Sequence, residues 1–453
     1  MSQSVIARRI VVAGGVFAPG HLGELTRIVP FEMVDAVLAD CGGVQRRVRK
    51  LPARVVVYLL LAGALFEPAG YPAVWRKLTG ALDGAGAVKV TAGAMWQART
   101  RLGPAPLRAL FDLLRGSSAA PRTRGSWWRG LLVCAIDGTT LDVPDTPGHR
   151  ARLGKHDNQY AAAGYPQIRL VALVACGTRA IIDAVFGPAA DGEPAYAARL
   201  LGSLHRGMIV LLDRGLSSNV LLAGISGTGA DFLARLSATR KPPVLRRLAD
   251  GSFLSVLGGV KVRIIDCQIT IATTAGTQTG TYRLATTLLD PRQHPAFELV
   301  KLYHQRWEIE SAYFEIKKTM LGRRVLRART LPGITQEIYA LLTVYQALRI
   351  AITDTTLTAP GTDPDRASFT IALQAARDQV IQAANVIASE TIDLAGAIGR
   401  HILANLLPDR RLRVSPRAVK RPLSRYAYKS LRVDRRTYQA TISIDILTNP
   451  PSP

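Results

Sequence analysis

Between about residue 20 and residue 115 the apolar positions recur at three- and four-residue intervals, divided by glycine or proline. The segments GELTRIVPFEMVDAVLADCG, LPARVVVYLLLAGALF, PAVWRKLTGAL and TAGAMWQARTRLGPAPLRALFDLL all share this spacing. It predicts a succession of helices. The longest apolar run, VVVYLLLAGALF at 55–66, is far short of the roughly 20 residues of a membrane span and reads as a core helix. Thr91 is placed to cap the helix through Met95 and Trp96, and the next helix should start after Gly103-Pro104. Two short helices joined by a tight turn fit a helix-turn-helix DNA reader and a plain helical bundle equally well.

After the basic linker PRTRGSWWRG (121–130) the pattern changes. LLVCAIDGTTLDV (131–143) predicts a buried strand that Asp137 closes. QIRLVALVA and RAIIDAVFG, around Cys176-Gly177-Thr178, predict a hairpin. An amphipathic helix is expected over 193–207, a strand MIVLL closed by Asp213, a helix SNVLLAGI and a strand ADFLARLS. From 242 to 290 the chain is rich in Val, Ile, Thr and Gly, with strands VKVRIIDCQITIATT and TYRLATTLL joined by the turn AGTQTG. Helices come next at 334–352 and roughly 367–406, separated by a Thr/Pro/Asp-rich link. This order suits a mixed sheet with helices on its faces.

The segment YHQRWEIESAYFEIKK starts at Tyr303. On an unbroken helix Tyr303, Arg306, Glu310 and Lys317 lie within an arc of about 60°. Leu302, Ile309, Ile316 and Met320 form an adjoining apolar stripe that can face a core. Arg306 and Glu310, four residues apart, also fit a simple surface salt pair, and Trp307 fits either a core position or a base-stacking one.

Composition narrows the partner. The net charge of +25, from 58 Lys+Arg against 33 Asp+Glu, favours a polyanion, nucleic acid first and an anionic membrane surface second. Basic clusters lie at 45–54 and along the tail 409–436, where Tyr426 and Tyr428 interleave. The final NPPSP reads as disordered. Cys41, Cys134, Cys176 and Cys267 are widely spaced, form no CxxC pair and give no zinc site. Arg8 and Arg9 precede an apolar stretch that Gly14, Gly15 and Pro19 interrupt, with no convincing cleavage pattern. A cytoplasmic, non-membrane protein is expected.

Asp137 and Asp213 each follow an apolar run, and a carboxylate there is well placed for metal binding or catalysis. Glu310 comes from a helix that could lie across the same sheet. Three such groups with open positions suit Mg²⁺. Asp142, Asp145, Asp183, Asp191, Asp231 and Asp266 compete on periodicity alone.

IDGTTLDVPDT (136–146), VLLDRG (210–215) and YHQRWEIESAYFEIKK together resemble the DDE transposases of bacterial insertion sequences, closest to the insertion-sequence-four type. The Tyr, Arg, Glu and Lys at 303, 306, 310 and 317 match that type's signature at every interval. The resemblance covers about 130–350 and extends more weakly, through MWQARTRLG, to the helical N-terminal region. It implies an α/β fold: a ribonuclease H-like mixed-sheet core at 128–350 with a β-rich insertion at about 238–292. A helical N-terminal domain (1–120), DNA-binding, and a helical C-terminal region with a basic tail (366–453) would flank it. It further implies Asp137, Asp213 and Glu310 as metal-binding catalytic residues, with Mg²⁺ or Mn²⁺. Tyr303, Arg306 and Lys317 would hold DNA phosphates, and a homodimer would join two element ends in double-stranded DNA. A related metal-dependent nuclease without strand transfer and an inactive DNA-binding derivative are the alternatives. The DRGLSS after the second aspartate departs from the longer acidic motif of some members.

Overall fold

The computed structural model describes residues 22–43, 49, 51–79, 90–155, 157–158, 161–162, 164–274, 276–359, 361–383, 396–408, 413–414, 438–439 and 441–448. The arginines near the N-terminus, half of the 45–54 cluster, nearly all of the basic tail and the last prolines lie outside them. The chain divides into two units. The first comprises Met1–Ile209 and Arg306–Leu406, the second Val210–Gln305 and Leu407–Pro453.

In the first unit the 3.6-residue pattern yields helices α1 (Phe31–Asp40), α2 (Ala53–Leu65), α3 (Tyr71–Thr79), α4 (Ala92–Leu102) and α5 (Ala105–Leu114). Every residue of α2 except Arg54 is buried, as its all-round apolar sequence requires. The Thr91 hydroxyl accepts from Ala94 N–H at 3.2 Å, and α5 starts directly after Gly103-Pro104, both as expected. Helices α2, α4 and α5 pack on α11 (Leu331–Thr358), also largely buried. Its side chains bond carbonyls at helix ends. The Gln336 amide donates to the carbonyls of Arg99 and Gly103, and that of Gln346 to those of Leu114 and Gly116. Arg327 donates to Gly63 and Ala69 carbonyls. Helices α12 (Phe369–Ala383) and α13 (Ala397–Ala404) follow α11, and the short α6 (Pro147–Leu153) and α7 (Glu193–Ala198) lie earlier in the chain.

The long strands of this unit are β1 (Leu131–Asp142), β2 (Gln167–Ala175) and β3 (Ile181–Pro188), antiparallel in the order β3-β2-β1. Leu132 N–H donates to Gly207 O at 2.8 Å, which brings the start of β4 (Met208–Leu212) to the free edge of β1. One expectation needs correction. Asp137 does not close its strand: β1 pairs with β2 through Asp142. The apolar run stops at Ile136 because burial stops there, while the ladder goes on. The helix expected over 193–207 spans only Glu193–Ala198 and gives way to a short 3₁₀ turn at Leu201–Ser203.

In the second unit β4 continues to Leu212 and is followed by α8 (Asn219–Gly227), β5 (Asp231–Leu236), β6 (Phe253–Leu257), β7 (Val260–Thr273), β8 (Gly276–Thr286) and α9 (Ala296–Tyr303). The strand order is β4-β5-β8-β7-β6. Strand β8 begins earlier than its composition suggests, because most of AGTQTG pairs with β7. A further strand, β9 (Thr441–Ile446), pairs with β7 through Cys267 and Ile446. Sequence reasoning missed it, although Ile442, Ile444 and Ile446 alternate as strand residues do. Fully buried Arg263 pins this unit through Asp250, the Ser252 hydroxyl and the His294 carbonyl. Cys134, Cys176 and Cys267 are buried, reduced thiols. Among the described residues no helix is long and apolar enough to cross a membrane.

Candidate active site

Side chains alternate along a strand, so Asp137 and Thr139 share one face of β1. Asp137 is half-buried, and its Oδ1 accepts from Gly138 N–H at 2.8 Å. Burial pushes its carboxyl up to about 6, against the Gly138 N–H and the Arg306 guanidinium, which lower it. Gly138 itself has no room for a side chain. A Cβ there would lie 2.8 Å from Cγ and Oε1 of Glu193. Arg169 holds that glutamate at 2.7 Å.

The first unit resumes at Arg306, at the start of α10 (Trp307–Phe314). Glu310 lies one turn on. Arg306 is buried, and its guanidinium lies against two carboxylates, 3.3 Å from Glu310 Oε1 and 3.9 Å from Asp137 Oδ2. Lys317 Nζ donates to Thr139 Oγ1 at 3.1 Å. The Tyr313 hydroxyl reaches the Asp137 carbonyl. Asp137, Arg306, Glu310 and Lys317 are therefore brought together over β1. Trp307 is 38% exposed, so it is no core residue, and Arg306 stacks on its ring at 4.8 Å.

The motif does not run on a single helix. α9 ends at Tyr303, a 3₁₀ turn spans His304–Arg306, and a π-helical turn spans Glu315–Met320 after α10. Tight and wide turns each rotate the residues beyond them, so the arc expected of an unbroken helix does not describe the segment. Its apolar stripe survives: Leu302, Ile309, Ile316 and Met320 are all buried. Tyr303 belongs to the second unit. There its hydroxyl donates to Leu212 O at 3.2 Å, next to half-buried Asp213, which directly follows β4.

A buried ionic cluster holds α10 from its other flank. Arg179 sits in the β2–β3 turn at φ 58°. Its Nε donates to Glu308 at 2.6 Å and its Nη1 to Glu315 at 3.2 Å, while Nη2 pairs with Asp365. Arg349 also pairs with Glu315, and the Tyr345 hydroxyl lies 3.1 Å from the same carboxylate. Glu308 and Glu315 bracket Glu310, so this cluster fixes the segment that carries it. The π turn begins at Glu315, where the two arginines draw the carboxylate inward. Sequence reasoning missed Arg179, Glu193 and Tyr313. Only Glu308 and Glu315, spaced two helical turns apart, left a readable signal.

Asp137 and Glu310 offer hard carboxylate oxygens of the kind a divalent cation takes. The Arg306 guanidinium between them occupies a seat for positive charge, so these two carboxylates fit a cation in charge and chemistry. Among the described residues no group of three or more His, Cys, Asp or Glu side chains is gathered closely enough to hold a metal ion.

Comparison with known proteins places the chain among transposases. Residues 19–112 match the family described as insertion element 4 transposase N-terminal, and residues 128–347 match the transposase DDE domain. The chain is 27% identical over 413 residues to transposase InsG of insertion sequence element IS4 from Escherichia coli K12, covering 86% of this chain and 90% of that one. It is 30% identical over 205 residues to the putative transposase InsZ of the same organism, covering 45% of this chain and 67% of that one. Among solved structures, a piggyBac transposase synaptic complex with hairpin DNA aligns at 10% identity and a TM-score of 0.44, over 92% of this chain and 88% of that one. A DDE domain implies a divalent metal cofactor. With an insertion-element-4 N-terminal segment followed by a DDE domain on a ribonuclease H-like α/β core, the chain belongs to the insertion-sequence-four family of DDE transposases and is a DNA transposase.

Proposed function

We propose that Asp137, Asp213 and Glu310 form the catalytic carboxylate set and that Mg²⁺, or Mn²⁺ in its place, is the metal they hold. The observation that carries this reading is the Arg306 guanidinium lying against both Asp137 and Glu310. Two such ions, when bound, would activate a water or a 3′-hydroxyl and neutralise the leaving oxygen. The protein's share is positioning and charge. Arg306 leaves the carboxylates to offer its planar fork to an end phosphate, and Lys317 adds a point charge beside it. Tyr303 holds a further phosphate at the end of β4. The substrates are the terminal inverted repeats of the chain's own element and a target duplex, brought together by a homodimer in the cytoplasm, at the nucleoid. Residues 1–120 bind DNA, 128–350 cut and join it, with the insertion at 238–292, and the basic region 366–453 adds backbone contacts.

The test is to incubate the full chain with an end duplex, a target plasmid and Mg²⁺. The expected result is cleavage at the element end followed by a product joined to the target through the freed 3′-hydroxyl. Hydrolysis with no joined product would instead indicate a nuclease. Salt-sensitive binding with neither product would indicate an inactive DNA-binding derivative.

A further inference from the structure

Asp137 and Glu310 stand on different elements, a strand and a helix. The attraction of both for Arg306 does not fix how far apart they are. Tyr313 can. It lies about one helical turn beyond Glu310 and is 6% exposed. Its hydroxyl accepts from Ala172 N–H at 3.0 Å and donates to the Asp137 carbonyl at 2.5 Å.

Those two backbone groups face each other in the sheet, since Asp137 and Ala172 are register partners on β1 and β2. The same register sets Val133 against Cys176 and Val143 against Pro166. At both positions the amide meets the carbonyl directly: Cys176 N–H to Val133 O at 2.8 Å, and Val143 N–H to Pro166 O at 3.0 Å. Bonded partners in an antiparallel pair recur every second residue, and 133, 137 and 143 are in step. The hydroxyl therefore enters the ladder at the pair that carries Asp137. It uses the amide and the carbonyl that the register assigns to each other.

We propose that Tyr313 is a positioning residue whose hydroxyl sets the spacing between the Asp137 and Glu310 carboxylates, and with it the fit of the site for a divalent cation. This rests on the assignment of those two carboxylates to the metal. A hydroxyl both donates and accepts, so one atom grips both edges of the ladder, and the rigid ring transmits the grip to α10. Phenylalanine keeps the ring and loses the grip. The Ala172 amide then pairs with Asp137 alone, and α10 is released at that point.

The experiment uses the full-length chain with Tyr313→Phe, and wild type and Asp137→Asn alongside. Mn²⁺ is titrated twice, by thermal shift without DNA and by cleavage of an end duplex. For Tyr313→Phe the half-saturating Mn²⁺ should rise about tenfold in both assays, the size of effect typical of outer-shell partners. End-duplex binding in chelator should stay unchanged. Equal half-saturation in variant and wild type would overturn the inference. So would a loss of DNA binding with an unaltered Mn²⁺ response. Normal cleavage by Asp137→Asn would instead refute the carboxylate assignment, whatever position 313 does. If Tyr313→Phe fails to fold, 2,3,5-trifluorotyrosine at 313 keeps the shape and weakens the hydroxyl as an acceptor. Its half-saturation should move the same way by a smaller factor, and no movement would overturn the inference.

Discussion

Asp137 shows how a sequence can draw attention to a residue for an incomplete reason. The end of the apolar run drew attention to it, yet the strand continues to Asp142. What singles it out physically is the company it keeps: Arg306 against its carboxylate and Tyr313 on its carbonyl. Neither contact has a signature in local hydropathy, because both arise from residues far along the chain. Glu67 offers a separate residue-scale prediction. It is 4% exposed, and its Oε2 accepts no hydrogen bond. Burial raises its carboxyl above the ordinary range, although Arg327 and Arg324 pull it down. A raised carboxyl favours the protonated form on folding. Its stabilising contribution is therefore present below the ordinary carboxylate range and is lost as pH rises. Glu67→Gln should raise stability at pH 7 by about 1 kcal/mol. The gain should fade as pH falls into the carboxylate range, as measured by denaturant unfolding at both pH values.

At the scale of elements, periodicity identified most helices and most strands, because each buries one face or is buried all round, but missed the short helix Pro147–Leu153. α2, the Thr91 cap and the hairpin of β2 and β3 come directly from that logic. It failed where the backbone leaves the standard period. A fixed turn of about 100° per residue cannot anticipate the 3₁₀ turn before α10 or the π turn after it. Strand β9 was passed over because it lies beyond a long basic tail, far from the β7 edge it joins. The Arg179 cluster makes the element-scale prediction. Removing one partner of a buried ion pair leaves charge without compensation, which costs about 3–5 kcal/mol. Arg179→Ala takes the guanidinium away from Glu308 and Asp365 and leaves Glu315 with Arg349 and Tyr345. It should lower the unfolding free energy by that amount and reduce end cleavage, while Arg54→Ala at the half-exposed pair with Asp35 should change stability by less than about 1 kcal/mol.

For the whole molecule, charge spoke first and most plainly. A net charge of +25 pointed to a polyanion independently of where the elements lie. The matching intervals at 303, 306, 310 and 317 then led to the family, which the similarity to insertion-element transposases bears out. Affinity for an end duplex should fall on the order of a thousandfold or more between about 50 and 200 mM salt if about six or more phosphates are engaged. A filter-binding series at stepped salt would measure this, and a flat response would mean that the positive charge is not spent on DNA. The central claim concerns the three carboxylates, and one comparison tests it most directly. Asp137→Asn, Asp213→Asn and Glu310→Gln are each assayed for end binding in chelator and for end cleavage in Mg²⁺. The account predicts wild-type binding and abolished cleavage for all three; normal cleavage by any one of them would contradict the role given to that residue.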